Sequence, residues 1–421
     1  MEEIAVIDLG YNSIRLSLFQ RNSRNSFRTL GSMKNFTRLG EGVDEGGDIK
    51  EDKVQNAEKI MAKFRDVLER RGIETVYPLG TSAFRLARNG EEVAKRLSKS
   101  LGWDVEILPG EEEGRLAALG ALNSLPFSDG IIFELGGGSL EIAYVKNRSL
   151  GKIFHFPLGA LRLTKLYKNQ EEMRKEIRGY LYSLPIWIPP TLIGSGGNVR
   201  SVGRFIMQMD NVKFNHVHGY VIPRDKISSL AKSIWTMNPE EIASFPGIGK
   251  ERALTVKASL LVMEELTTFF DSQNIMVSEF GMREGKIMRG EEISLIDMRN
   301  SWLWAMADFM NLKPPSDIWL EAEKITGSEL AGISAYISHL FKEAGWGDPF
   351  DTCYKYLLKA LVPGFSKRDL GLISAICKGA SSKVKKKDLQ KLGIGDTKLD
   401  KVREMSKEVK KVVKMFPIGV Y

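Results

Sequence analysis

Over residues 53–71 apolar side chains return at the spacing of one helical face: Val54, Ala57, Ile60, Met61, Phe64, Val67 and Leu68 form a single stripe among charged residues. Such a stripe predicts an amphipathic helix laid on a core. The apolar run 75–79 predicts a short buried strand, 91–101 another helix, and 105–108 another strand that leads into a helix start at Pro109. Residues 171–181 read as a charged helix, and Gly194-Ser195-Gly196-Gly197 as a glycine turn opening one more. From Ile296 onward the pattern is helical throughout, over 296–310, 316–325, 328–344, 350–361, 367–380 and 398–415.

Two stretches break this pattern in the same way. In residues 130–145, GIIFELGGGSLEIAYV, an apolar run ends in an acid, three glycines and a serine, then resumes with strand-like alternation. Residues 7–16, IDLGYNSIRL, match residues 133–142, FELGGGSLEI, with acid, Leu, Gly and Ser in register. The match predicts an internal duplication of two β-hairpins. Glycine lets the backbone approach a ligand closely, and consecutive N–H groups in such a turn form an anion-binding concavity. Two facing turns would grip a phosphate chain, and the acid before each could hold Mg²⁺. Either turn alone is equally an ordinary hairpin; the repetition in register favours the paired phosphate site.

Composition narrows the setting. The 421 residues suggest two to three domains with sizeable cores, 43% of the chain being hydrophobic. Cys353 and Cys377 form neither a CxxC pair nor a cluster with histidine, which argues against a disulfide scaffold and a zinc site and fits a reducing cytoplasm. The start, MEEIAVIDLG, lacks the basic and apolar regions of a secretory signal, and no run approaches the ~18 apolar residues of a membrane helix. The net charge of +8 is local: residues 378–421 hold thirteen Lys or Arg against five Asp or Glu. A basic face of this kind attracts polyanions or is simply solvated.

Other candidates carry both a chemical and a structural reading. Arg38 stands in a glycine-rich loop, and Arg85 at a helix start behind a strand, a common anion site. Glu111, Glu112 and Glu113 begin a helix, where acids complement its dipole, yet they stand just before the second glycine hairpin, at the expected junction of two domains, where clefts form. On a strand His216 and His218 would share a face, but they lack a third ligand, favouring core or surface roles. Phe245-Pro246-Gly247-Ile248-Gly249-Lys250-Glu251-Arg252-Ala253 looks like a helix-hairpin-helix and sustains a rival reading, a catalytically inactive nucleic-acid-binding protein.

Taken together, VIDLGYNSIRL, RLGEGVDEGGDIKED, GTSAFRLARN, PGEEEGRLAALGA, FELGGGSLEI, FPLGALRLT, IGSGGNVRSVGR, HGY and VSEFGMREG resemble, in order, the motifs of the exopolyphosphatase and guanosine pentaphosphate phosphohydrolase family over roughly residues 1–290. The resemblance implies two duplicated α/β domains like those of actin, hexokinase and the heat-shock ATPases around a phosphate cleft, followed by an all-α domain. The corresponding boundaries are 1–121, 122–292 and 293–421. It implies Glu113 as general base, Asn12, Ser13, Arg15, Gly136, Gly137, Gly138 and Ser139 as phosphate binders, Arg38 and Arg85 lining the anion channel, and Asp8, Glu134 and Glu141 at Mg²⁺. Tyr11 in place of Ser, Glu134 in place of Asp and Asn198 in place of Thr depart from the family pattern. The longer Glu134 side chain would shift a metal.

The expected activity is cytoplasmic, Mg²⁺-dependent removal of terminal phosphate from inorganic polyphosphate, with guanosine pentaphosphate as the alternative substrate. The resemblance also implies that 293–421 corresponds to a His-Asp-type helical domain. With His339 as its one histidine, it reads as catalytically empty and suited to homodimer formation or to guiding a polyanion.

Overall fold

The computed structural model describes residues 1–22, 26–43, 46–288, 294–312 and 317–418. Contacts divide the chain into two compact units. One comprises residues 1–123, 127–202 and 222–293, the other residues 124–126, 203–221 and 294–421. Residues 203–221, which the sequence boundaries leave within the second α/β domain, therefore pack in the second unit, and the boundary at 292 lies outside the described residues.

The first unit holds two sheets. The first is built from β1 (Glu2–Leu9), β2 (Ile14–Arg21), β3 (Phe27–Asn35), β4 (Thr75–Gly80) and β5 (Glu106–Ile107), with α1 (Glu51–Arg71), α2 (Ser82–Leu86), α3 (Gly90–Leu101) and α4 (Gly110–Leu122) between and after them. The second is built from β6 (Gly130–Leu135), β7 (Leu140–Lys146), β8 (Ser149–Phe156), β9 (Leu192–Ser195), β10 (Val221–Pro223) and β11 (Asn274–Val277). Its helices are α5 (Ala160–Leu166), α6 (Gln170–Leu181), the start of α7 (Gly197–Met209), whose residues from Gly203 on count with the second unit, α8 (Arg224–Ile234), α9 (Pro239–Ala243), α10 (Lys250–Ala253), α11 (Val256–Phe269) and α12 (Met282–Ile287).

Strand order exposes the duplication. The first sheet runs β3-β2-β1-β4-β5 and the second, read in the same sense, β8-β7-β6-β9-β11-β10. In each, an antiparallel three-strand meander is followed by a parallel neighbour of its first strand, β4 beside β1 and β9 beside β6. β1 is buried almost continuously through Ile4–Ile7, as expected of a strand covered on both faces. The stripe on α1 supplies much of that cover: Val54, Ile60, Met61, Phe64 and Leu68 share one core with Ile7, Leu9 and Leu16, while Val67 lies partly buried at its edge. The sequence pattern misses β3, whose residues are largely exposed or half-exposed and carry no apolar run.

Helices α4 and α12 pack backbone to backbone. A β-carbon at Gly285 would overlap the Leu116 carbonyl oxygen, and one at Gly120 would press on the Gly281 carbonyl. Small residues here let two helices approach closely enough to set the functional ends of both, as described below.

The second unit is helical: α13 (Leu295–Met310), α14 (Asp317–Thr326), α15 (Glu329–Glu343), α16 (Pro349–Lys359), α17 (Lys367–Ser381), α18 (Lys386–Lys391) and α19 (Leu399–Met415). The six helices expected from periodicity correspond to all of these except the short α18; Ser316, in the expected second helix, lies outside the described residues. α15 is buried nearly all round, packed by α14, α16, α17 and α19. Its His339 is buried, with Nε2 3.1 Å from Glu343 Oε1. Cys353 and Cys377 are buried free thiols. Lys367 Nζ donates to the His216 carbonyl oxygen at 2.8 Å, and His218 Nε2 lies 3.0 Å from the Ser124 carbonyl, so both histidines sit in polar contacts of this unit's core. Lys383, Lys385, Lys386 and Lys387 are exposed around the start of α18.

Gly285→Ala is expected to lower stability by about 1–3 kcal/mol, the usual cost of overpacking, seen as a lower urea midpoint. Gly179→Ala on α6, where nothing lies within 4 Å of the added carbon, should be neutral or stabilising. Equal midpoints for the two variants would contradict the close-packing argument.

Candidate active site

The duplicated turns have the same internal geometry. Gly10 N–H donates to the Ser13 carbonyl at 3.0 Å, and Gly136 N–H to the Ser139 carbonyl at 3.0 Å. In both, the chain leaving the third strand is tied back onto the turn. Arg38 N–H donates to the Asn12 carbonyl and Gly40 N–H to that of Tyr11; Ala160 N–H donates to the Gly136 carbonyl and Leu161 N–H to that of Gly137. The turns face each other, a β-carbon at Gly137 standing 3.5 Å from Asn12 Cβ. None of Gly136, Gly137 and Gly138 has a positive φ. Their need for glycine is one of approach: a β-carbon on Gly138 would be 2.5 Å from Ser82 Oγ and 2.6 Å from the Tyr11 ring. Tyr11, where the family pattern has Ser, is buried between Gly40 and Gly138 as packing.

Around the turns, register places charge. In the first sheet Asp8 on β1 lies opposite Arg15 on β2, and Arg15 opposite Lys34 on β3. In the second, Glu134 on β6 lies opposite Glu141 on β7, and Glu141 opposite His155 on β8. Directly opposed residues share one face of a sheet, and like charges so placed repel. Burial, followed by the Glu141 charge, raises the Glu134 carboxyl from 4.5 to about 7. Glu134 Oε2 is buried with no hydrogen-bond partner among the described residues. Burial also raises Asp8, opposed by Arg283, Arg15 and Lys34. Glu141 Oε1 is 2.9 Å from His155 Nδ1.

Glu113 lies on the first turn of α4, where the Gly110–Leu122 helix enters the cleft. Its Oε2 accepts from Arg85 Nη1 at 2.7 Å, and the same nitrogen donates to the Leu108 carbonyl at 2.8 Å. Burial, then repulsion from Glu141, pushes the Glu113 carboxyl well above the usual range, with Arg85 opposing the shift. Nη2 of Arg85 is buried without a hydrogen-bond partner among the described residues.

One cleft, about 120 Å³ in volume, collects most of the expected residues: Asp8, Asn12, Ser13, Arg15, Glu113, Glu134, Gly136, Gly137 and Ser139 line it. Arg85, Glu141 and Gly138 stand behind this lining, the first two acting on Glu113. Arg38 does not line the cleft: its Nη2 is 3.0 Å from Glu251 Oε2, an ion pair that leaves the side chain about 42% exposed. Its backbone takes φ 51, which orients the loop carrying the Asn12 contact.

The sequence reading left out the cations Lys34, Arg200, Arg252 and Arg283 and the acid Glu284, all of which line the cleft. Arg200 and Arg283 stand inside quoted motifs, IGSGGNVRSVGR and VSEFGMREG, so the signal was present. Arg252 belongs to the segment that looks like a DNA-binding turn, but its Nη1 donates to Asn198 Oδ1 at 2.9 Å inside the cleft. Asn198 Oδ1, where the family pattern has Thr, also accepts from Thr255 Oγ1 at 3.1 Å and so ties both side chains together. Arg283 Nη1 donates to Ser17 Oγ at 2.7 Å, joining α12 to the first sheet. Lys34 has no sequence motif of its own; only strand register reveals it.

Among the described residues no group of three or more His, Cys, Asp or Glu side chains is arranged to hold an ion. A Mg²⁺ site does not require one, since this ion is commonly bound by one or two carboxylates plus substrate phosphates and water. Glu134, with its unpartnered Oε2 in the cleft, and Asp8 fit such a site. Glu141, buried against His155 and outside the lining, does not present an oxygen there.

Two duplicated lobes with facing glycine turns, and acids and cations converging between them, define a phosphate-handling enzyme of the actin/hexokinase-like fold. Residues 18–292 match the sequence profile of the Ppx/GppA phosphatase family. The chain belongs to that family, and with it to the phosphoanhydride hydrolases. It is 25% identical over 301 residues to exopolyphosphatase 1 of Mycobacterium tuberculosis, covering 68% of this chain and 87% of that one. It is 24% identical over 311 residues to a bifunctional 3-dehydroquinate synthase/phosphatase of Fusobacterium nucleatum, covering 68% of this chain and 46% of that protein. Among solved structures, an exopolyphosphatase from Cytophaga hutchinsonii superposes with TM-score 0.62 at 24% identity, covering 68% of this chain and 96% of that one. The Aquifex aeolicus member of the Ppx/GppA family superposes with TM-score 0.60 at 24% identity, with the same coverage. No helix among the described residues is long and apolar enough to cross a membrane.

The Glu134 shift gives a pH prediction. Its pKa is higher in the folded chain than the ordinary 4.5, so the folded state holds more protons between about pH 4.5 and 7, and the stability it contributes is lost as pH rises through that window. Glu134→Gln should flatten the fall in Tm of metal-free protein between pH 5 and 8. An unchanged slope would contradict the buried, unpartnered carboxylate.

Proposed function

We propose that the protein is an exopolyphosphatase, removing terminal phosphate from inorganic polyphosphate with Glu113 as general base. The observation that carries this reading is a buried carboxylate, held by Arg85, on the wall of a cleft lined by the two amide turns. The name of the Mycobacterium tuberculosis relative, exopolyphosphatase 1, supports the choice of substrate.

Hydrolysis of a phosphoanhydride needs an in-line water, a proton acceptor for it and stabilisation of charge on the phosphoryl oxygens. The N–H groups of the two turns would receive the terminal phosphate. Water adds to its phosphorus as the bond to the bridging oxygen breaks; Glu113 takes the water's proton, and the shortened chain leaves with the bridging oxygen. The raised affinity of Glu113 for protons makes its ionised form a stronger base than an exposed carboxylate, and the Arg85 hydrogen bond holds that carboxylate in one orientation. Mg²⁺, when bound by Asp8 and Glu134, would add charge neutralisation at the phosphate oxygens.

Phosphate release from polyphosphate and from guanosine pentaphosphate, measured side by side with Mg²⁺, tests the activity and its substrate. Faster release from polyphosphate is expected. Glu113→Gln should lower kcat by about 10²- to 10⁴-fold, the range of general-base contributions, while KM stays near that of the parent. A variant with near-parental rate would reduce Glu113 to a helix-start charge.

A further inference from the structure

The charged groups of the cleft separate into two poles. The strongest charged neighbours of Glu113 are Glu141, Arg85 and Glu134, whereas those of Lys34 are Arg252, Arg15 and Arg200, with Asp8 as its acidic counterweight. One end is acidic and carries the general base. The other is predominantly cationic, with Asp8 as its carboxylate.

Register sets out the cationic end. Asp8, Arg15 and Lys34 occupy opposed positions on three adjacent strands, and neighbouring strands lie about 4.8 Å apart, so the row extends about 10 Å from Asp8. Lys34 therefore enters the cleft from a strand two places away from Asp8, on the side of the cations and not beside Glu113. Lys34 forms no ion pair among the described residues; its ammonium lies 4.1 Å above the Phe36 ring. From the opposite lobe comes Arg252, fixed by Asn198, with Gly197 beside it: a β-carbon there would overlap the Arg252 guanidinium. Crowding two cations without an anion between them is unfavourable, and burial with Arg252, Arg15 and Arg200 nearby lowers the Lys34 ammonium to about 7. A polyanion between them removes that cost.

We propose that Lys34 and Arg252 clamp the penultimate phosphate of a phosphoanhydride chain from the two lobes, making Lys34 the residue that selects a chain over a lone phosphate. This rests on the reading of the cleft as a phosphoanhydride hydrolase site. The same chemistry is offered by an inorganic chain and by the 5′ end of a nucleotide, whose second phosphate is linked in the same way.

The test is equilibrium binding of orthophosphate, tripolyphosphate and guanosine triphosphate, by calorimetry, to Glu113→Gln protein with Lys34 intact, with Lys34→Met and with Lys34→Arg. Lys34→Met should weaken tripolyphosphate binding by roughly tenfold or more, the scale of a lost hydrogen bond between charged groups, and change orthophosphate binding by less than about twofold. Lys34→Arg should restore most of the loss, which damage to the fold would not permit. An equal loss for guanosine triphosphate would support recognition of any phosphoanhydride chain; a loss confined to tripolyphosphate would support an inorganic chain as the ligand. Equal losses for orthophosphate and tripolyphosphate, or no loss for tripolyphosphate, would overturn the assignment. Failure of tripolyphosphate to bind with Lys34 intact would overturn the functional reading as well, whereas selective loss in a protein that hydrolyses neither substrate would leave the clamp standing and remove only the catalysis.

Discussion

The cleft depends on strand register in two equivalent meanders. Side chains directly opposed across neighbouring strands project from one face, so one residue of slip in β2 would turn Arg15 away from Asp8 and Lys34 together. The register is held by the apolar residues flanking each charged row: Leu9 is opposed by Ile14 and Ile7 by Leu16 in the first sheet, and Leu135 by Leu140 and Phe133 by Ile142 in the second. Burial of those residues makes any other register costly. The charges are therefore positioned by hydrophobic pairs of which, among those named, Leu135 alone reaches the cleft lining.

The two rows have diverged in charge while keeping their geometry. The first reads Asp8, Arg15, Lys34, and the second Glu134, Glu141, His155. Exchange of a cation for an acid at the middle position gives the cleft its polarity. Glu141 repels both Glu134 and Glu113 and raises their affinity for protons, while the cations of the first row oppose the rise at Asp8. Helices α4 and α12 keep the rows in place, since their glycine-mediated contact sets Glu113 at one end of α4 and Arg283 on α12 against Ser17 of β2.

Much of this was legible in the sequence because it was local. The acid-Leu-Gly-x-x-Ser repeat spans a few residues, and both copies form turns with matching hydrogen bonds. The α1 stripe and the C-terminal helices were legible through periodicity, because each buries one face or is buried throughout. What the sequence withheld was non-local. Lys34 and Arg15 are nineteen positions apart and meet only through pairing of β2 with β3, a strand that carries no apolar run. The family resemblance implies Arg38 as a cation of the anion channel, but its partner Glu251 is supplied from far along the chain. The turn at Phe245–Gly249 resembled a DNA-binding motif for local reasons and contributes Arg252 to the cleft for tertiary ones.

The central claim is that two facing turns and two oppositely charged poles form one phosphate-chain site. A crystal structure of the Glu113→Gln protein with tripolyphosphate and Mg²⁺ tests it most directly. The account predicts one terminal phosphate within hydrogen-bond distance of backbone N–H groups from both turns, near residues 10–13 and 136–139, with the chain running away from position 113. A chain bound to one turn alone, bound outside the cleft, or entering with its inner phosphates toward position 113 would contradict it.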